Sequence, residues 1–314
     1  MKNQNLNQIF FPGISLFLLC FFLLNQASGE EKKFFVAATT TMVTDMAQQV
    51  AGDRCEVSGL MGPGVDPHLY KPTASDIQTL RNADVILYSG LLLEGRMGDL
   101  FAQMARMGKK VYAVTDSVKK EDLLELTTIV GHYDPHVWGD AALWSQCIEV
   151  IVEALSTADP DGELLYRQRG RFYKEELLEL DKWAKARAAE LPEEDRILIT
   201  SHDAFSYFGR AYGFQVVGVQ GISTVTEAGL ADVAKTVEFI LKNRIKAIFV
   251  ESSVSPATIR RISRDAQVKV GGELFSDATG TSGEIETAFG GAYDKGTYVG
   301  MLKHNVNTVV GALK

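Results

Sequence analysis

Cysteine is scarce in this chain of 314 residues, and the three that occur, Cys20, Cys55 and Cys147, form no CxxC pair. Three thiols are too few for a disulfide scaffold, and the absence of CxxC excludes a thiolate-rich zinc site. In an oxidising compartment Cys55 and Cys147 could pair, and two buried free thiols are the alternative. Positive charge is also in deficit, since 32 lysines and arginines face 40 aspartates and glutamates, a net charge of −8. Nucleic acid is therefore excluded as a partner, because its phosphates need a basic face.

Long apolar runs are absent except at the N-terminus. Almost every residue from Phe10 to Leu24 is apolar, but this run is shorter than the roughly 20 residues that span a bilayer. Small residues follow at Ala27–Gly29. We interpret residues 1–29 as a signal peptide cleaved near residue 29, which predicts an exported, soluble chain. A retained N-terminal anchor is the alternative.

Short apolar runs alternate with helical patterns along the rest of the chain. The predicted strands are Phe34–Ala38, Glu56–Leu60, Val85–Ser89, Val111–Val114, Ile197–Thr200, Gln215–Val219, Ala247–Val250 and Val268–Gly271. The predicted helices include Thr41–Val50, Ala74–Asn82, Ala141–Leu155, Ala204–Tyr212, Ala228–Asn243, Pro256–Asp265 and Gly296–Leu313. This alternation predicts an α/β fold whose parallel sheets are covered by helices on both faces.

The alternation stops once, between Gly162 and Leu191, where neither a strand signal nor a proline occurs. Apolar residues recur there near helical spacing, and Pro160 and Pro192 bracket the stretch. A helix of about 28 residues would extend roughly 40 Å, enough to run along two lobes. An ordinary surface helix within one domain is the alternative. The predicted units are an N-terminal lobe at 32–160, an interlobe helix at 161–191 and a C-terminal lobe at 192–314.

Two of the five histidines lie in nearly the same pentapeptide. Asp66–Tyr70 reads DPHLY, and Asp134–Trp138 reads DPHVW. Proline fixes its own φ and pushes the preceding aspartate toward an extended conformation, so each imidazole stands on a stiffened loop. Such rigid presentation suits a metal ligand. A solvated or capping role for His68 and His136 is the alternative, and no compact HExxH motif accompanies them.

Three further polar residues follow predicted strands, whose carboxyl ends are where open α/β sheets bind ligands. His202 follows Ile197–Thr200, and Asp277 follows a strand-like run. Glu251 ends the run at Val250 and could accept a hydrogen bond from a ligand histidine. The alternatives are a helix-capping or turn role for Asp277 and a solvated carboxylate for Glu251.

Together, His68, His136, His202 and Asp277 would offer three imidazoles and one carboxylate. This donor set suits Zn²⁺ first, and a bidentate Asp277 would still accommodate the harder Mn²⁺. Four protein ligands leave no open position for a reactive water, which favours a carrier over an enzyme. Two alternatives are a zinc-dependent hydrolase with Glu251 as general base and an adhesin that carries an incidental metal.

Segments spread over residues 34–314 resemble the solute-binding proteins of zinc and manganese ABC importers, the TroA-like and ZnuA-like proteins. The matching segments are GLMGPGVDPHLY from Gly59, NADVILY from Asn82, DPHVW from Asp134, SHDAFSYF from Ser201, ESS from Glu251, ELFSDA from Glu273 and GTYVGM from Gly296. The resemblance implies two (β/α)4-like lobes joined by one long spanning helix, with a metal between them. It also implies that His68, His136, His202 and Asp277 are the ligands.

The same resemblance implies a carrier with no enzymatic activity. We expect a monomer in the periplasm that captures one divalent ion and delivers it to an inner-membrane ABC permease with its ATPase. Family members with histidine at the position of His202 tend to take zinc, whereas those with glutamate lean to manganese, so we expect zinc first and manganese next. Zinc-dedicated members often carry a long histidine-rich loop, and here Asp116–Tyr133 is short and has only His132.

Overall fold

The computed structural model of the protein describes residues 1, 34–126 and 130–314. The predicted signal peptide lies outside the described residues. No helix in the described part of the chain combines the length and the apolar character that a membrane crossing requires.

Four parallel strands form the sheet of the N-terminal half: β1 (Phe34–Ala38), β2 (Cys55–Gly59), β3 (Val85–Tyr88) and β4 (Lys110–Ala113). Their order in the sheet is β2-β1-β3-β4. The inner strands β1 and β3 are nearly continuous apolar runs because helices cover both of their faces. The predicted strands agree with these bounds to within one residue.

Three helices accompany this sheet: α1 (Thr41–Ala51), α2 (Ala74–Asn82) and α3 (Gly98–Arg106). The Thr40 side chain caps α1 by accepting from the Val43 N–H, and Thr73 and Asp76 form a capping box at α2. The sequence prediction missed α3.

The predicted helix Ala141–Leu155 is wrong as one continuous element. The structure divides it into α4 (Ala141–Trp144), a 3₁₀ turn at Ser145–Cys147 and α5 (Ile148–Ala158). The long helix α6 (Glu163–Ala188) follows and has 26 residues, about 39 Å at 1.5 Å per residue. It packs against the earlier helices α1 and α5 and also against helices that follow it in the chain.

The C-terminal half contains two parallel strand pairs, β5 (Ile197–His202) with β6 (Gln215–Gln220) and β7 (Ala247–Glu251) with β8 (Lys269–Leu274). Strands β5 and β7 lie side by side. The helices here are α7 (Ser206–Tyr212), α8 (Leu230–Asn243), α9 (Ala257–Ala266) and α10 (Tyr298–Leu313). An antiparallel hairpin of β9 (Ile285–Ala288) and β10 (Gly291–Asp294), also missed from the sequence, precedes α10.

These elements confirm the predicted α/β class, with parallel sheets and one long helix. Hydrogen bonds join the two halves directly: the Tyr298 hydroxyl donates to the Trp138 carbonyl at 2.7 Å, and the Thr279 N–H donates to Thr41 Oγ1 at 2.7 Å. Phe34–Lys314 forms a single compact unit. The lobe boundaries at residues 160 and 192 therefore stay a prediction.

Cys55 and Cys147 are free and buried. Burial raises the pKa of both thiols, so neither is a ready thiolate at neutral pH. Of the two alternatives left open by the sequence, the structure shows the pair of buried free thiols.

Candidate metal centre

Four side chains that are far apart in the sequence meet in the interior. One atom from each of His68, His136, His202 and Asp277 lies within 4.8 Å of the others, and all four residues are buried. Their exposed fractions are 7% for His68 and at most 1% for the other three. No other group of three or more histidine, cysteine or carboxylate side chains in the described ranges could hold a metal ion.

Three distances among these side chains are close to those of a tetrahedral ion site, whereas the group as a whole spans up to 4.8 Å. The Nε2 atoms of His68 and His136 are 3.3 Å apart. Asp277 Oδ1 lies 3.5 Å from His136 Nε2, and Asp277 Oδ2 lies 3.4 Å from His202 Nε2. Bonds of about 2.0–2.1 Å in tetrahedral geometry separate two ligand atoms by about 3.3–3.4 Å. These three distances therefore match an ion of zinc's size, and binding such an ion would draw the widest-spaced ligands closer together.

Two polar atoms of the cluster have no hydrogen-bond partner among the described residues: His202 Nε2 and Asp277 Oδ1. A buried polar atom without a partner costs free energy, and an ion at the centre of the cluster would satisfy both atoms. The arrangement is therefore one that could hold a cation.

The two repeated pentapeptides fold alike. Asp66 Oδ1 accepts the His68 N–H at 2.8 Å, and Asp134 Oδ1 accepts the His136 N–H at 2.9 Å. An aspartate that binds the backbone two residues ahead tightens the turn, which the intervening proline stiffens further. Asp134 Oδ1 also lies 2.7 Å from His136 Nδ1 and orients this ring, leaving Nε2 toward the cluster.

His202 is held by the neighbouring strand. It ends β5, and Glu251 ends β7 beside it. Glu251 Oε1 accepts the His202 N–H at 2.9 Å, and Oε2 lies 2.5 Å from His202 Nδ1. With both oxygens against His202, Glu251 is not placed to take a proton from water, as the hydrolase alternative would need.

Asp277 is positioned by contacts that the sequence did not reveal. Ser253 Oγ donates to Asp277 Oδ2 at 2.9 Å and lies 2.8 Å from Ser276 Oγ. Trp138 Nε1 donates to the Ser276 carbonyl at 2.7 Å and so joins the His136 loop to the Asp277 loop. Only their place after strands β7 and β8 could have pointed to these serines.

The remaining histidines lie elsewhere. His304 Nδ1 lies 2.7 Å from Glu286 Oε2, and its Nε2 lies 2.9 Å from the Glu273 carbonyl oxygen. The His132 carbonyl accepts the Leu126 N–H in the segment before His136. Neither side chain belongs to the cluster.

The pKa values of the clustered side chains are shifted in different directions. Burial and the nearby His136 lower the pKa of His68 to about 4, so this imidazole is neutral at pH 7. Burial would lower the pKa of His202 as well, but the carboxylates Asp277 and Glu251 outweigh it and raise this pKa well above 6.5. Burial likewise opposes ionisation of Asp277, yet the three imidazoles hold its pKa far below the usual value. Without an ion, a proton on His202 therefore sits where an ion would bind.

Glu251→Gln tests how much the orientation of His202 matters. Glutamine keeps the shape of the side chain but loses the negative charge that makes the His202 imidazole a stronger metal ligand. We therefore expect zinc affinity to fall by about 10- to 100-fold. Isothermal titration calorimetry with a competing chelator would measure the change. Glu273→Gln, at an exposed carboxylate on strand β8, is the matched control and should bind like the wild type. Equal affinity for both variants would contradict the role of Glu251.

The fold and the buried cluster together define a metal-binding protein of the solute-binding class. A model of the family described as "Zinc-uptake complex component A periplasmic" matches residues 36–312. The chain belongs to this family.

Three relatives are close over most of their length. The chain is 42% identical to the manganese-binding lipoprotein MntA of Bacillus subtilis, over 87% of this chain and 88% of the relative. It is also 42% identical to the zinc-binding protein TroA of Treponema pallidum, over 87% and 86%. The metal ABC transporter substrate-binding lipoprotein SsaB of Streptococcus sanguinis is 29% identical, over 90% of both chains.

The solved structure of the periplasmic zinc-binding protein TroA from Treponema pallidum matches this one with a TM-score of 0.83 at 41% identity, covering 90% of this chain and 99% of that one. The protein is thus a metal ABC transporter substrate-binding protein. None of these relatives is named as an enzyme.

Proposed function

We propose that the protein captures one Zn²⁺ ion between its lobes with His68, His136, His202 and Asp277 and delivers it to an inner-membrane permease driven by an ATPase. The observation that carries this proposal is the burial of four ligand atoms within 4.8 Å of one another. Glu251 and Asp134 act by orienting two of the imidazoles. The predicted signal peptide would place the mature chain in the periplasm, where we expect it to act as a monomer.

The choice of zinc over manganese rests on the donor set. Three imidazoles and one carboxylate suit zinc, whereas Mn²⁺ favours more oxygen donors. Three distances of 3.3 to 3.5 Å within the group are also those of a four-coordinate site. Manganese is the second candidate, because both oxygens of Asp277 face the cluster and could bind together. The relatives leave this choice open, because one is named for manganese and one for zinc.

Elemental analysis tests the physiological ion. In vitro affinity alone does not, since zinc binds such sites more tightly than manganese whatever the biology. We expect protein purified from its native compartment, without added metal, to carry about one zinc per chain, the stoichiometry that a single site dictates. A His136→Ala variant purified in parallel should carry little metal and serves as the control. Manganese as the bound ion would overturn the zinc assignment, and metal-free wild type would overturn the carrier proposal.

A further inference from the structure

His68 is held differently from the other clustered side chains. His202 ends a buried β-strand, and the loops of His136 and Asp277 are joined by the Trp138–Ser276 hydrogen bond. His68 instead lies in segment 60–73, which has neither helix nor strand. It is also the most exposed of the four, at 7%. Exposure within the cluster is therefore greatest at His68.

Asp66 connects His68 to the opposite half of the molecule. One oxygen of its carboxylate accepts the His68 N–H at 2.8 Å, and the other accepts the Thr224 hydroxyl at 2.6 Å. Thr224 belongs to segment 221–229, the irregular connection between β6 and α8. Its side chain faces inward, since Thr224 is 7% exposed whereas the adjacent Val225 is 58% exposed.

This contact is the hydrogen bond between the two segments. Among the hydrogen bonds of the described residues, the Asp66–Thr224 bond is the one that links segment 60–73 to the C-terminal half of the chain. Elsewhere, many buried hydrogen bonds hold the two halves together, such as the one from the Tyr298 hydroxyl to the Trp138 carbonyl. Movement that exposes the cluster is therefore easiest where these two irregular segments meet, and one hydroxyl restrains it there.

We propose that Thr224 is a positioning residue that sets the rate of ion release: its hydroxyl, acting through Asp66, holds His68 over the cluster. Thr224 is not one of the four proposed ligands. Without this hydroxyl, the hydrogen bond between segments 60–73 and 221–229 is lost. His68 can then leave the ion while the other three ligands keep their places. This inference rests on the proposed function, because it presupposes an ion at the cluster.

Release kinetics of the zinc-loaded protein test the proposal. The loaded protein is mixed with an excess of a chromogenic zinc chelator in a stopped-flow instrument, and the release rate is read from absorbance. Thr224→Val keeps the shape and removes the hydroxyl, so we expect release about tenfold faster, the scale of one charge-assisted hydrogen bond. Thr224→Ser keeps the hydroxyl and should release zinc at nearly the wild-type rate. Thr226→Val, an exposed change in the same segment, is the matched control.

A double-mutant cycle separates this role from a general loosening of the fold. If the hydroxyl acts through Asp66, Thr224→Val should change release less than about twofold in an Asp66→Ala background. A release rate in Thr224→Val equal to that of Thr226→Val, or full additivity with Asp66→Ala, would overturn the proposal. Thr224→Ala removes the same hydroxyl and replaces the valine variant if that variant does not fold. Wild-type protein that binds no zinc would instead overturn the proposed function.

Discussion

Replacing His136 by alanine is expected to weaken zinc binding more than about a hundredfold. Structural zinc sites supply roughly 10–16 kcal/mol from four ligands, so one lost ligand removes about 3 kcal/mol or more. His136 is the most central of the imidazoles: its Nε2 lies 3.3 Å from His68 Nε2 and 3.5 Å from Asp277 Oδ1. The loss also leaves Asp134 buried without the ring that it binds. Competition titration against a chelator of known affinity measures the change.

His132→Ala is the control for that experiment. It makes the same chemical change four residues earlier, outside the cluster, and should leave zinc affinity within about twofold of wild type. His304→Ala is a second control in the C-terminal half. Similar affinities for His136→Ala and His132→Ala would show that His136 is not a ligand. Thermal unfolding of the metal-free variants should be recorded as well, so that a folding defect is not mistaken for a lost ligand.

Zinc affinity is expected to fall by about a hundredfold between pH 7.5 and pH 5.5. The pKa of His202 is raised well above 6.5 in the metal-free protein, mainly because Asp277 and Glu251 overcome the effect of burial. The imidazole must lose this proton before it can bind an ion. Below that pKa, affinity therefore drops about tenfold for each pH unit. His68, with its pKa lowered to about 4, adds nothing over this range, and Asp277 stays ionised.

Proton release gives an independent measurement of the same step. Calorimetric titrations with zinc at pH 7, in two buffers with different ionisation enthalpies, should report about one proton released per ion bound. In Glu251→Gln the proton on His202 loses one of its partners, so the decline in affinity should begin at a lower pH. A flat pH profile with no proton release would contradict the assignment of a protonated His202.

Much of the fold could be predicted because its elements carry local signals. Strand β1 and helix α2 have the predicted bounds, since a run of buried apolar residues marks the first and the Thr73–Asp76 capping box marks the second. The break at Ser145–Cys147 could not be foreseen, because neither glycine nor proline marks it. The hairpin of β9 and β10 was missed although Gly290 and Gly291, both with positive φ, lie at its turn.

The candidate site was predictable where residue types repeat or end a strand. His68 and His136 are recognisable from their shared pentapeptide, and His202 and Glu251 from their places after apolar strands. The Asp66–Thr224 bond spans 158 positions and leaves no local trace. The same holds for Ser253, whose hydroxyl reaches Asp277 across 24 positions. Such contacts depend on how the halves pack, which no short pattern encodes.

Because the thiols of Cys55 and Cys147 are buried, this chain is convenient for site-specific labelling. A form that starts after residue 29 lacks Cys20, and the two remaining sulfurs are buried and have raised pKa values. A single new thiol on the surface, such as Leu69→Cys beside the cluster, would therefore react with a maleimide dye ahead of both native cysteines. Fluorescence from that position could follow metal binding and release in real time, with no native cysteine removed.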